Sequence, residues 1–155
     1  MAPETFLHTG IEPALSILPA AMDTPKAARM ILAICLQETG LRNRLQIRGP
    51  ARGWAQFERL AVYDVLTRRT SATHARTLCA ALSVRPDADT CHEAIAWNDI
   101  LCAGFARLNL WNSPDPIPDE VFRGLMMYIR TWRPGKPRPE TWPKHWATAT
   151  ATLGL

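Results

Sequence analysis

Residues Arg29–Arg44 read RMILAICLQETGLRNR. From Met30 to Leu36 every residue is apolar. Gln37 and Glu38 follow, then Thr39, Gly40 and the arginines Arg42 and Arg44. Upstream, Asp23 or Thr24 can cap a helix that has Pro25 at its first position. Gly40 supplies the left-handed stop. A helix from Pro25 to Thr39 is predicted. It is apolar almost all round, so other helices must surround it. Glu38 lies four residues after Ile34 and three after Cys35, on a face shared with core positions. Partial desolvation there raises a carboxyl pKa, and the negative end of the helix dipole acts in the same direction. A carboxylic acid still protonated near neutral pH is what a general acid needs. The competing reading is an ion pair with Arg42 or Arg44, which would lower the pKa and leave a plain helix terminus.

Working outward, helical periodicity dominates and sustained period-2 alternation is absent. Helices are predicted over Glu12–Met22, Phe57–Arg68, Ser71–Leu82, Asp89–Asn109, from after Pro118 to Trp132, and over Glu140–Ala151. The Asp89–Asn109 helix places Ala94, Trp97, Leu101, Phe105 and Leu108 at helical spacing. The expected class is all-α, in one domain over residues 1–155, with at most a minor β-hairpin around Leu45–Ala55. The late proline segments SPDPIPDE and RPGKPRPETWP read as ordered loops.

The chain has 155 residues, and 47% of them are apolar, which provides for a core without staples. Lys and Arg number 18 against 14 Asp and Glu, a net charge of +4. That suits an anionic polymer without choosing one. The acidic residues are interspersed with the basic ones, so a nucleic-acid partner is not expected. Cys35, Cys79, Cys91 and Cys102 form no metal-ligand spacing, and His8, His74, His92 and His145 are scattered. No metal or cofactor is expected, nor a phosphate loop or nucleophile triad. The N-terminal stretch lacks a basic region ahead of an apolar one, and Pro19 interrupts ALSILPAAM, so neither a signal peptide nor membrane insertion is expected.

The segment ILAICLQETGLRNRLQIRGPARGWAQFE resembles the catalytic core of the lysozyme-like superfamily, specifically the soluble lytic transglycosylases and goose-type lysozymes, and compact phage-encoded members above all. Glu38-Thr39 takes the place of that group's Glu-Ser pair, and GWAQ, Gly53–Gln56, the place of its Gly-Leu-Met-Gln type motif. MYIRTWRPGKP resembles its Ala-Tyr-Asn motif, with Tyr128 in the tyrosine position. Ile129 stands where the asparagine would be, which leaves the sugar contacts on that side open.

The resemblance implies a lysozyme-like helical domain with a buried central helix. The implied activity is cleavage of the β-1,4 bond between N-acetylmuramic acid and N-acetylglucosamine in peptidoglycan strands. Glu38 would be the general acid and base, and Thr39, Gly53, Trp54, Gln56 and Tyr128 the substrate-binding residues. Trp54 can stack on a sugar or fill the core. Tyr128 can bond to Glu38 or to substrate, or simply pack. Most glycosidases pair two carboxylates. Glu58 is the candidate second one, against its reading as a solvated helix start. The aromatic-basic stretch WRPGKPRPETWPKHW is expected mainly to close the core.

Two readings compete. One is a phage lytic transglycosylase or virion-associated lysozyme, made in the host cytoplasm and acting at the bacterial periplasm. The other is a non-catalytic virion structural protein that keeps the fold and binds other virion proteins.

Overall fold

The computed structural model describes all residues, Met1–Leu155. The chain is all-helical, as its periodicity predicts. It runs α1 (Pro3–Phe6), a π-helical turn Leu7–Ile11, α2 (Glu12–Ile17), a 3-10 turn Ala20–Met22, α3 (Pro25–Thr39), α4 (Arg59–Thr67), α5 (Ala72–Ala81), α6 (Ala88–Ile95), α7 (Asp99–Trp111), α8 (Val121–Trp132), a 3-10 turn Pro139–Thr141 and α9 (Trp142–Thr152). In place of a hairpin there are two isolated antiparallel bridges, Leu45 to Arg52 and Arg52 to Phe57. No helix is long and apolar enough to cross a membrane.

Helix α3 is the central element. The Thr24 side chain accepts from the Ala27 amide at 3.1 Å, Pro25 opens the helix, and Gly40 ends it at φ 58°. A left-handed φ costs glycine nothing, and there the Gly40 amide reaches back to the Leu36 carbonyl. Every residue from Ala27 to Gln37 is buried. α9 packs along α3. α7, itself buried from Leu101 to Leu108, lies against α2, α5 and the Leu7–Ile11 turn. One continuous hydrophobic core joins these helices.

Three predicted elements change. The Asp89–Asn109 helix is two helices, α6 and α7, with a break at Ala96–Asn98. Asn98 caps α7 by accepting from the Leu101 amide at 2.9 Å. A side-chain cap of this kind competes with helix continuation. The break turns Trp97 outward to 68% exposure, although its spacing assigns it to the inner face. The Glu12–Met22 helix stops at Ile17, because Leu18 is extended ahead of Pro19. The last helix begins as the 3-10 turn Pro139–Thr141.

All four cysteines are free and buried. No cluster of His, Cys, Asp and Glu is arranged to hold a metal ion.

Candidate functional site

A cleft of about 790 Å³ opens between the C-terminal turn of α3, the loop after it, α4, α8 and the segment Arg133–Arg138. Glu38 lines it, as do Gln56, Glu58 and Tyr128. The long apolar run of α3 brings Glu38 to the cleft from inside the protein. The carboxyl is half-buried, and burial raises its pKa. Two neighbours oppose that shift: a hydrogen bond from Tyr128 and the positive charge of Arg138. The Tyr128 hydroxyl donates to Glu38 Oε1 at 2.7 Å, across 90 residues of sequence. Tyr128 is 3% exposed and stacks on Trp142, ring centroids 5.2 Å apart. Burial and the Glu38 carboxylate hold the phenol well above its ordinary range, so it serves as a proton-bearing donor.

Arg138 is set by Gln37, a residue the sequence reading did not single out. The buried Gln37 amide donates from Nε2 to the Arg138 carbonyl at 3.0 Å, and Arg138 Nη2 donates to the Gln37 carbonyl at 2.8 Å. Thr141 Oγ1 at 3.1 Å and His145 Nδ1 at 2.8 Å donate to Gln37 Oε1. Burial, with Lys144 and Arg138 nearby, lowers the His145 pKa, which favours a neutral ring. Two of these bonds fasten Arg138, on the cleft side, to the last turn of α3, and the other two tie in Thr141 and His145. A polar residue directly before Glu38, at the end of an apolar run, is the signal by which the sequence could have revealed it.

Three residues expected to bind substrate do other work. The Thr39 hydroxyl lies 3.0 Å from both Cys35 O and Trp54 O, sharing its one proton between them, and accepts from the Leu41 amide at 3.2 Å. It therefore clips the GWAQ loop to α3. Gly53 adopts φ +74°, and a Cβ there would meet Ile95 Cγ2 at 2.6 Å and the Ile95 carbonyl at 2.8 Å. Its amide donates to Arg44 O at 2.7 Å, and its carbonyl accepts from the Gln56 amide at 3.1 Å. That backbone is spent within the turn. Trp54 is 4% exposed. Its indole donates to Asp99 Oδ1 at 2.9 Å, and the Arg44 guanidinium lies 4.1 Å from its ring centroid. It is core, with no face open to a sugar.

Gln56 does line the cleft, its Nε2 donating to Gly53 O at 2.9 Å. Glu58 is exposed on the cleft rim as the residue before α4, and its side chain makes no capping bond. The tryptophans of the late basic stretch divide: Trp142 and Trp146 are buried, and Trp132 packs on Phe57 while donating to Ala55 O at 2.8 Å. The Arg44 guanidinium pairs with Asp99 and donates to Ala96 O at 3.2 Å. Arg42 is exposed. Neither makes the ion pair with Glu38 that would turn that carboxyl into a plain helix terminus.

Chemically, the site offers one partly dry carboxyl with a fixed donor on one oxygen. Because Oε1 accepts from Tyr128, a proton on the acid belongs on Oε2. Of the other cleft carboxylates, Asp64 lies 3.7 Å from Arg68 and Asp115 pairs with Arg130 at 2.7 Å, while Glu58 on the exposed rim has no side-chain partner. Compared with known proteins, the chain matches no family model, no curated protein and no solved structure.

Proposed function

We propose that the protein is a glycosidase of bacterial peptidoglycan, of lytic transglycosylase or lysozyme type, with Glu38 as its general acid and base. The observation that carries this is the Glu38 carboxyl itself. It sits at the cleft end of a buried helix, its pKa is raised by burial, and it is oriented by Tyr128. In the proposed reaction the Oε2 proton passes to the glycosidic oxygen as the bond to the muramic C1 breaks. The substrate acetamido group stabilises the positive charge on the sugar, so a second carboxylate is not required. The ionised Glu38 then removes a proton from the muramic 6-hydroxyl, closing an anhydro ring, or from a water molecule.

The resemblance to the lysozyme-like superfamily supports the reading, as does the placement of Glu38 in the wall of a cleft of about 790 Å³. Such an enzyme would be phage-encoded, made in the host cytoplasm and delivered to the periplasmic wall, either in the virion or at lysis. The test is digestion of purified Gram-negative peptidoglycan by the wild type and by Glu38→Gln, with products weighed by mass spectrometry. Soluble muropeptides from the wild type alone are expected, and products lighter by one water identify the transglycosylase. Intact wall with both proteins, where a control lysozyme cuts, would leave the fold serving virion assembly instead.

A further inference from the structure

Adjoining the cleft, with Ser113, Pro114 and Asp115 common to both walls, lies a second cavity of about 310 Å³, between the end of α7 and the loop leading to α8. Its size is at the lower end of the range of small-molecule sites. Arg107, Leu110, Trp111 and Ile117 line it. Arg107 is 4% exposed, yet no carboxylate pairs with it. Its one hydrogen bond in the protein runs from Nε to the Met22 carbonyl, at 2.8 Å. Both terminal nitrogens of the fork lack a protein partner but are not sealed from solvent, while the flat of the guanidinium rests 5.0 Å from the Trp111 ring centroid. The other buried arginine, Arg29, has Asp119 at 3.1 Å. Asp115 also borders the cavity, but its carboxylate is held by Arg130.

A buried cation without a counter-charge is costly. Burial lowers the Arg107 pKa to about 10, which still leaves it charged at neutral pH. A planar fork with no protein partner at its terminal nitrogens, at the wall of an apolar-sided cavity, matches a carboxylate, which a guanidinium binds through two parallel bonds. Leu110, Ile117 and the Trp111 ring match a hydrophobic body attached to that carboxylate.

We propose that this cavity is a binding site for a small organic acid with an apolar body, its carboxylate received by Arg107. The probe is benzoate, with benzamide as its neutral counterpart. Binding is read from the indole N–H signals of the tryptophans by nuclear magnetic resonance, with the Trp111 signal assigned through Trp111→Phe. Benzoate should move the Trp111 signal saturably, and benzamide should not. Arg107→Gln should weaken benzoate by about ten-fold or more, the loss of a charged hydrogen-bonding partner. Because removing a buried arginine can unfold a chain, a second variant, Ile117→Trp, fills the cavity and keeps Arg107; it should also abolish the response. The proposal is overturned by no saturable movement in the wild type, by equal responses to benzamide, or by unchanged benzoate binding in either folded variant.

Discussion

Two carboxylates mark the contrast between a closed site and an open one. Asp99, at the start of α7, is saturated: the Arg44 fork meets both its oxygens, and the Trp54 indole adds a third bond. Glu38, at the end of α3, has a single donor, the Tyr128 hydroxyl, and lines the cleft. Arg44 lies on Asp99 and completes it. Arg138 is near enough to Glu38 to lower its pKa but is bonded to the Gln37 carbonyl. The difference teaches that position decides less than what remains unbonded. A carboxylate whose oxygens are all engaged holds the fold together, and one with a free oxygen in a cleft is available for chemistry.

The largest expected effect separates the two by function. Glu38→Gln should reduce peptidoglycan cleavage by about 10³-fold, the usual scale for losing a positioned general acid, while the fold persists. The same variant should raise Tm at neutral pH. A raised folded-state pKa means the native protein binds more protons than the unfolded chain between the two pKa values. Stability contributed by Glu38 is therefore full below its unfolded pKa and falls as pH rises through the folded one. Removing the charge removes that cost. A thermal melt at neutral pH in which Glu38→Gln is clearly less stable than wild type would break the contrast, since it would make Glu38 a structural residue like Asp99.

Asp99→Ala is the reciprocal change. It should cost about 3 kcal/mol, the low end for breaking a buried pair, because Arg44 would keep a positive charge with partial access to water. Urea denaturation measures this. A loss under about 1 kcal/mol would place the pair with surface ion pairs, whose worth is small.

Gly53→Ala tests the turn that carries both Trp54 and Gln56. It should cost about 2 kcal/mol, from the left-handed backbone and the contact with Ile95. The cleft side of the turn should suffer too, so cleavage should fall along with Tm. A stable Gly53→Ala protein would show that α6 can yield at Ile95.

How much of this was legible in the sequence varies by residue. The bounds of α3 were readable because the signals are local: Thr24 caps, Pro25 starts and Gly40 stops, all within the helix or next to it. The break before α7 was hidden because apolar spacing runs on through Ala94, Trp97 and Leu101, although Asn98-Asp99 carries the pattern of a cap and an acidic first turn. Missing that break hid the role of Asp99. Trp54 was ambiguous for another reason. Its indole partner lies 45 residues away, and nothing in the GWAQ stretch says whether the ring faces a sugar or Asp99. The meeting of Tyr128 with Glu38 spans 90 residues. Periodicity placed each on its own helix, and only the resemblance suggested that they touch.

The smallest effect, Tyr128→Phe, bears on the tuning of Glu38. The phenol donates to Oε1 and so stabilises the carboxylate over the acid. Without it, burial is opposed only by Arg138, and the Glu38 pKa should rise further. A general acid works only while protonated, so the alkaline limb of the pH–rate profile should move to higher pH in the variant. The stability loss should be about 1 kcal/mol, that of one hydrogen bond, because the phenylalanine ring keeps the stack on Trp142. Arg138→Gln should move the limb in the same direction, since Arg138 also lowers the Glu38 pKa. The two changes act on one titrating group through different routes, one by a hydrogen bond and one by charge at a distance. Added salt should therefore weaken the Arg138 effect more than the Tyr128 effect. A limb that stays fixed in both variants would show that another group sets it, and Glu38 would lose its place as the acid.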